Sequence, residues 1–200
     1  MCALPIDSIR AEFEAALAAG HVVVEAPTGS GKSTRLPLWC GARGRTLVVE
    51  PRRLACRALA RHLAEETGTA LGEGIGYAVR FDSRCGPQTP VVFATPGIAL
   101  RWLADGGLAG FETVVLDEFH ERRWDTDLLL ALLRRKDEHR LVVTSATVEG
   151  GRLARYLDGT RLEAEGRLFP VEVRYTEENT LPRTRDLAAR VVTAVLEALA

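Results

Sequence analysis

A run of small and polar residues around Lys32 has the chemistry that binding of a phosphate group requires. Residues 26–34 read Ala-Pro-Thr-Gly-Ser-Gly-Lys-Ser-Thr and follow an apolar run of three valines, with only Glu25 in between. Gly29 and Gly31 let the backbone wrap closely enough for successive N–H groups to point at one anion, and a helix beginning near Lys32 adds the positive end of its dipole. The Lys32 ammonium can reach terminal phosphates, and the Ser33 hydroxyl can take a place on Mg²⁺. These residues predict a nucleotide-phosphate loop.

The use of lysine supports this interpretation. Of the 26 basic residues, only Lys32 and Lys136 are lysines, so a lysine at this point of an arginine-rich chain indicates a specific use. The phosphate-loop formula G-x-x-x-x-G-K-[ST] would place glycine at position 26, where the chain has Ala26, but a small residue is sufficient there. A Gly/Ser loop that only caps a helix is the structural alternative.

Two adjacent carboxylates, Asp117 and Glu118, close the apolar run 113–117. Beside a phosphate loop, Asp117 can hold Mg²⁺ together with Ser33, and Glu118 can orient or deprotonate an attacking water. Adjacent carboxylates at the end of a strand could instead form a solvated turn or cap a helix. The phosphate loop favours the catalytic interpretation.

Short apolar runs alternate with amphipathic segments along the chain. The strands are expected at 22–25, 46–50, 91–94, 113–117 and 140–144, and the helices at 7–19, 32–40, 52–67, 97–104 and 125–135. This alternation predicts an α/β fold, a mostly parallel sheet with helices on both faces. Ligands of such sheets bind beyond the carboxyl ends of the strands, and each polar cluster of this chain begins where a strand ends.

The overall composition restricts the classes of partner. The net charge is −1, so any contact with nucleic acid must come from local arginines rather than from an overall basic field. The four cysteines share no metal-like spacing and are expected to be reduced thiols of a cytoplasmic protein. No apolar run approaches the length of a membrane span, so we expect a soluble protein.

The string Asp-Glu-Phe-His-Glu-Arg at 117–122 resembles the DEAH-box (RHA-type) ATP-dependent helicases of superfamily 2, and most of all their bacterial HrpB-type branch. The resemblance extends from about Leu4 to Tyr175. The other segments that carry it are 26–34, 50–55 (Glu-Pro-Arg-Arg-Leu-Ala), 76–81 (Gly-Tyr-Ala-Val-Arg-Phe), 145–147 (Ser-Ala-Thr) and 166–171 (Gly-Arg-Leu-Phe-Pro-Val). The resemblance implies a RecA-like P-loop NTPase domain.

The resemblance also implies the roles of individual residues in the ATP site. The phosphates and Mg²⁺ would be bound by Ala26, Pro27, Thr28, Gly29, Ser30, Gly31, Lys32, Ser33 and Thr34. Ser33 and Asp117 would hold the metal, and Glu118 would be the catalytic base, with Lys32 and His120 as further catalytic residues. Arg61 would stack on the base of ATP, and the absence of an upstream glutamine motif implies weak discrimination against other NTPs.

A second group of residues would connect the ATP site to nucleic acid. Arg52, Thr95 and Gly97 match positions that contact the backbone of single-stranded RNA without reading its sequence, and DNA is not excluded. His120, Ser145 and Thr147 would couple the bound strand to the ATP site. Taken alone, Arg52 could be a surface charge, His120 a structural residue, and Ser145 and Thr147 helix caps.

The sequence gives further expectations for Pro96, Tyr77 and Phe81, which lie near these positions. Pro96 departs from the family, which usually has an acidic residue between the threonine and the glycine. Tyr77 and Phe81 are expected in the core rather than stacked on bases.

The resemblance divides the chain at about residue 178. Residues 1–178 would form the first RecA-like lobe, with a last strand at 171–175, and 179–200 would be a linker and the truncated first helix of a second lobe. By the same resemblance, the second lobe, which supplies arginine fingers in this family, is expected to be missing from this chain. Without arginine fingers, the rate of ATP hydrolysis would be about 10³–10⁵-fold lower. The isolated chain is therefore expected to bind nucleotide modestly, hydrolyse it slowly and not unwind a duplex.

Two other functions remain open at this stage. A different P-loop enzyme, such as a kinase, would retain Lys32 and Asp117, although the combination of Asp-Glu-x-His with Ser-Ala-Thr argues against it. A non-enzymatic module that binds nucleotide or a partner protein would also fit a single lobe.

Overall fold

The computed structural model describes residues 3–146, 150–165 and 184–199. The chain divides into two compact units, residues 1–167 and 168–200. The first unit contains every strand that the structure describes. The domain boundary expected near residue 178 stays a prediction.

The first unit is built on an eight-stranded sheet. Its strands are β1 Val22–Glu25, β2 Thr46–Val49, β3 Ile75–Val79, β4 Asp82–Arg84, β5 Val91–Ala94, β6 Thr113–Leu116, β7 Arg140–Ser145 and β8 Thr160–Glu163. Their order across the sheet is β4-β3-β5-β2-β6-β7-β1-β8, and only the β3–β4 hairpin pairs antiparallel. The expected α/β fold with a mostly parallel sheet is therefore confirmed.

Helices cover both faces of this sheet. They are α1 Arg10–Ala19, α2 Lys32–Gly41, α3 Arg53–Thr67, α4 Pro96–Ala104, α5 Trp124–Lys136 and α6 Gly150–Leu157, with 3₁₀ turns at Pro5–Ile9 and Phe119–Glu121. Helices α1, α2 and α3 pack on one face around Phe13, Leu36 and Leu63. Helices α4, α5 and α6 pack on the other face around Leu103 and Leu133.

The strand sequences explain why the sheet needs two covered faces. In β1, Val22 and Val24 contribute to the core on one face, and Val23 contributes to the core on the other. Successive side chains of a strand point to opposite faces, so an uninterrupted valine run buries apolar area on both sides. This burial holds the carboxyl ends of β1, β2, β6 and β7 in one row, where the polar motifs begin.

Strands β3, β4 and β8 and helix α6 were not predicted from the sequence. Strand β3 contains Gly76, and β4 and β8 are short and largely polar, so none of them shows the apolar run that marks the central strands. Tyr77 is buried as expected, but the expectation for Phe81 is wrong: its side chain is 90% exposed and its φ is 68°. It lies in the tight turn between β3 and β4, which turns its ring away from the sheet. The strand expected at 171–175 lies outside the described residues.

In the second unit the structure describes one helix, α7 Thr184–Leu199. Its apolar side chains Leu187, Val191, Val192, Val195 and Leu196 are exposed. Within the described part of the chain, no helix combines the length and the hydropathy that crossing a membrane requires.

Candidate functional site

The phosphate loop connects the end of β1 to the start of α2. Its first residue is tied to the neighbouring strand, because the Ala26 N–H donates to the Ser145 carbonyl at 3.1 Å. Gly29 and Gly31 have φ values of 79° and 96°, which residues with a side chain adopt only with strain. A Cβ on Gly31 would also lie 2.6 Å from Leu4 Cδ1. Both glycines are therefore required by the shape of the loop.

Lys32 is the first residue of α2, and its side chain turns back into the loop. Its Nζ donates to the carbonyls of Ala26 at 2.7 Å and Pro27 at 2.9 Å. Burial lowers the pKa of Lys32, while Glu118 and Asp117 oppose this shift. The lysine thus lies between the loop and the two carboxylates, and the first N–H groups of α2 point toward the same space.

Asp117 follows β6 and is almost fully buried. Its Oδ1 accepts hydrogen bonds from the Thr144 hydroxyl and from the Glu118 N–H, the latter at 3.1 Å. Its Oδ2 has no hydrogen-bond partner among the described residues. An unpartnered buried carboxylate oxygen requires a further ligand, and a hard cation such as Mg²⁺ supplies that interaction.

Glu118 lies next to Asp117 in a left-handed backbone conformation with a φ of 50°. Its N–H is held by Asp117 and by the Thr144 hydroxyl at 3.2 Å. Burial, followed by the charge of Asp117, raises the pKa of Glu118, and Lys32 and His120 oppose the shift. A carboxylate with a raised pKa is a stronger base, which suits removal of a proton from water.

His120 lies between Glu118 and the segment that follows β7. Its Nδ1 is 3.3 Å from Glu118 Oε2 and 3.4 Å from the backbone nitrogen of Ala146. One ring nitrogen either donates a proton to the carboxylate or accepts one from Ala146, so these two contacts exclude each other in a given protonation state. Ser145 is buried at the end of β7, and Thr147 lies outside the described residues.

A cavity of about 360 Å³ joins the loop to the Glu118 carboxylate. It is lined by Leu4, Gly29, Gly31, Lys32, Ser33, Thr34, His62 and Glu118. Arg61 is not among these residues. On α3 its neighbour His62 lines the cavity instead, with its Nε2 3.9 Å from Glu66 Oε2.

The residues expected to contact nucleic acid lie at the carboxyl edge of the sheet. Arg52 precedes α3 with an exposed side chain, and Thr95 precedes α4. Because they follow the neighbouring strands β2 and β5, these two residues are close in the fold. Gly97 is exposed, and Pro96 occupies the first position of α4, where a missing N–H removes no helical hydrogen bond.

Three residues of this region were missed by sequence reasoning. The Thr144 hydroxyl donates to Asp117 and accepts the Glu118 N–H, and Glu121 forms an ion pair with Arg52. Glu50 is buried, and its burial raises its pKa to about 7, while its Oε1 accepts the Arg52 N–H at 3.0 Å. The only signal in the sequence is that Glu50 and Glu121 lie inside recognised motifs and that Thr144 directly precedes one.

The DEAD/DEAH box helicase family matches residues 9–155, a range that holds the phosphate loop, both carboxylates and Ser145. The chain belongs to this family. The ATP-dependent RNA helicase HrpB of Escherichia coli (strain K12) is 41% identical over 187 residues, which cover 88% of this chain and 23% of that protein. HrpA of the same organism, also named an ATP-dependent RNA helicase, is 38% identical over 184 residues, covering 86% of this chain and 14% of HrpA.

A solved structure supports the same assignment. The crystal structure of the Escherichia coli DEAH/RHA helicase HrpB matches 98% of this DEAD/DEAH box helicase chain with a TM-score of 0.86 and 38% identity, and the match covers 27% of the HrpB chain. The RecA-like fold and the resemblance to the HrpB branch are confirmed. The chain spans less than a quarter of the length of either curated relative.

Proposed function

We propose that this chain is the ATP-binding motor lobe of an ATP-dependent RNA helicase. The observation that carries the proposal is that the phosphate loop and the catalytic carboxylate line one cavity. Lys32 and Ser33 from α2 and Glu118 from beyond β6 meet there, although more than 80 residues separate them in the sequence.

The residues around the cavity fit the phosphates of a nucleotide with its metal. The loop N–H groups and Lys32 would bind the phosphate oxygens, and Ser33 and Asp117 would hold Mg²⁺. The unpartnered Oδ2 of Asp117 supports this assignment. A bound Mg²⁺ would neutralise charge on the phosphate oxygens.

Glu118 would act on the attacking water. The water oxygen bonds to the γ-phosphorus, the bond from that phosphorus to the bridging oxygen breaks, and ADP leaves. Glu118 accepts the proton that the water loses. Its raised pKa supports this role, and the nearby His120 would hold the carboxylate in position.

His62 is better placed than Arg61 to contact the nucleotide. Both side chains are exposed on α3, but only His62 lines the cavity. An imidazole ring offers a flat face on which a base can stack, and such stacking discriminates weakly among bases. We therefore transfer the expected role of Arg61 to His62.

Single-stranded RNA is the proposed nucleic-acid partner, without exclusion of DNA. Arg52 would contact a phosphate, and Thr95, Gly97 and the N-terminus of α4 would contact the adjoining backbone. Ser145 and Thr147 would relay this contact to Glu118 through His120. These contacts read no base edges, so binding would be independent of sequence.

The complete motor would need a second RecA-like lobe. The curated relatives extend well beyond the part that this chain matches. A second lobe would supply arginine fingers, so the chain by itself would hydrolyse ATP slowly and would not unwind a duplex. We place the protein in the cytoplasm, where its thiols stay reduced.

The test is Mg²⁺-dependent ATP hydrolysis with and without single-stranded RNA. It uses this chain and a version extended by a second lobe, each also as Lys32→Ala and Glu118→Gln. We expect RNA to stimulate the extended protein, Glu118→Gln to bind nucleotide without turnover, and Lys32→Ala to lose both. An extended protein that binds nucleotide but neither hydrolyses ATP nor responds to RNA would instead be a non-enzymatic nucleotide-binding module.

A further inference from the structure

An ion pair connects the proposed RNA site to the segment that carries the catalytic base. The Arg52 guanidinium donates to Glu121 Oε1, across 69 residues of sequence. Arg52 directly precedes α3, and Glu121 is the last residue of the 3₁₀ turn that begins after Glu118.

The backbone on both sides of this pair is held in place. Glu50 Oε1 accepts the Arg52 N–H at 3.0 Å, and the Glu121 N–H donates to the Glu118 carbonyl at 3.0 Å. Glu118 and Arg122, which bracket the 3₁₀ turn, both have a positive φ. The side chains are therefore free to exchange partners without a change in the course of the backbone.

Exposure differs between the two side chains. The Arg52 side chain is 69% exposed and the Glu121 side chain 23% exposed. The guanidinium thus faces solvent at the edge of the sheet while it bonds to a carboxylate behind it. Carboxylate and phosphate present the same oxygen geometry to a guanidinium, so they compete for it.

We propose that Glu121 is an intramolecular competitor of the RNA phosphate for Arg52. This inference rests on the proposed function, in which Arg52 contacts RNA. Without RNA, Glu121 neutralises Arg52. When a phosphate takes its place, Glu121 is released, and the tie between the RNA site and the turn after Glu118 is broken. Glu121 therefore acts on RNA binding through Arg52, as a positioning residue for that guanidinium.

The experiment measures binding of a fluorescent oligo(U) to this 200-residue chain as a function of salt. The variants are Glu121→Gln, which keeps the side-chain shape, Arg52→Ala and the double substitution. Asp105→Asn is the matched control: it removes one charge from another exposed pair, with Arg101, at the far end of α4. Thermal unfolding of each variant checks that it is folded.

We expect Glu121→Gln to tighten RNA binding about two- to fivefold, the range for release of an exposed ion pair. Arg52→Ala should weaken binding and reduce the salt slope by about one. In the Arg52→Ala background, Glu121→Gln should have no effect, and Asp105→Asn should have none in either background.

The two possible failures are distinguishable. If Arg52→Ala binds RNA like the unchanged chain, or the chain binds no RNA, the proposed nucleic-acid role fails and the inference fails with it. If Arg52→Ala weakens binding but Glu121→Gln does not tighten it, or tightens it equally without Arg52, only the competition is refuted.

Discussion

At the scale of single residues, the important feature of the site is which atoms of Asp117 and Lys32 are hydrogen-bonded to the protein and which are not. Asp117 uses one carboxylate oxygen on Thr144 and Glu118 and keeps the other without a partner among the described residues. Lys32 is held by two loop carbonyls rather than by a carboxylate. The Asp117 carboxylate and the Lys32 ammonium can therefore both bind a charged ligand, but their burial lowers the stability of the fold.

Thr144 gives a prediction at this scale, because its hydroxyl bonds a buried carboxylate. Thr144→Val should lower the free energy of unfolding by about 1–3 kcal/mol and weaken binding of Mg²⁺ with nucleotide. Urea unfolding and nucleotide titration at several Mg²⁺ concentrations measure the two effects.

Thr126→Val is the matched control for this substitution. Thr126 is also buried, but its hydroxyl has no hydrogen-bond partner among the described residues. Its replacement should leave stability unchanged or raise it slightly. Equal losses in the two variants would show that the Thr144 hydroxyl has no special part in holding Asp117.

At the scale of elements, the rotation of α3 about its axis decides which side chain faces the cavity beside the phosphate loop. The helix buries Cys56, Ala60 and Leu63 against the sheet. Adjacent residues on a helix are about 100° apart, and on α3 it is His62 that lines the cavity while Arg61 does not. The motif resemblance named Arg61, and the packing of the helix presents His62.

Arg61 and His62 allow a prediction in which the substitution of one residue is the control for the substitution of the other. His62→Ala should weaken ATP binding by about fivefold to 150-fold, because a stacking face is worth about 1–3 kcal/mol. Arg61→Ala should change the affinity less than twofold. Titration of the chain with a fluorescent ATP analogue decides between them, and the reverse order of effects would restore the assignment to Arg61.

At the scale of the whole molecule, the edge of the sheet opposite the site carries a buried histidine that joins three elements. His21 precedes β1, its Nδ1 accepts the Leu141 N–H of β7 at 3.1 Å, and its Nε2 is 3.2 Å from Asp137 Oδ1 at the end of α5. Burial lowers the pKa of His21, against the effect of Asp137 and with that of Arg134 and Arg140. The folded protein therefore favours the neutral ring.

The stability of the fold should consequently depend on His21 and pH. Because the folded-state pKa is lowered, the unfolded chain binds a proton more readily, and stability is lost as the pH falls through about 6.5 and below. Urea unfolding between pH 8 and pH 5 should show a loss that is smaller in His21→Gln. The exposed His62→Gln should follow the unchanged protein, and identical pH profiles for all three would contradict the prediction.

Much of the fold could be predicted because its signals are local. The central strands are valine-rich runs buried on both faces, and the polar motifs begin where they end. Strands β4 and β8 were missed because they form the two edges of the sheet and are largely polar, and β3 was missed because Gly76 interrupts its apolar residues. Phe81 was placed wrongly because an apolar residue in a tight turn has the composition of a core residue and the backbone of an exposed one.

By itself, the sequence determined the phosphate loop, the Asp117–Glu118 pair and the parallel α/β architecture, since each depends on residue types a few positions apart. The tertiary structure alone decided the partners of these groups. Strand order placed Thr144 beside Asp117, the rotation of α3 brought His62 to the cavity, and Glu121 met Arg52 across the carboxyl edge of the sheet. The reason is physical: short-range patterns specify backbone conformation, whereas contacts between distant residues follow from how complete elements bury their apolar faces together.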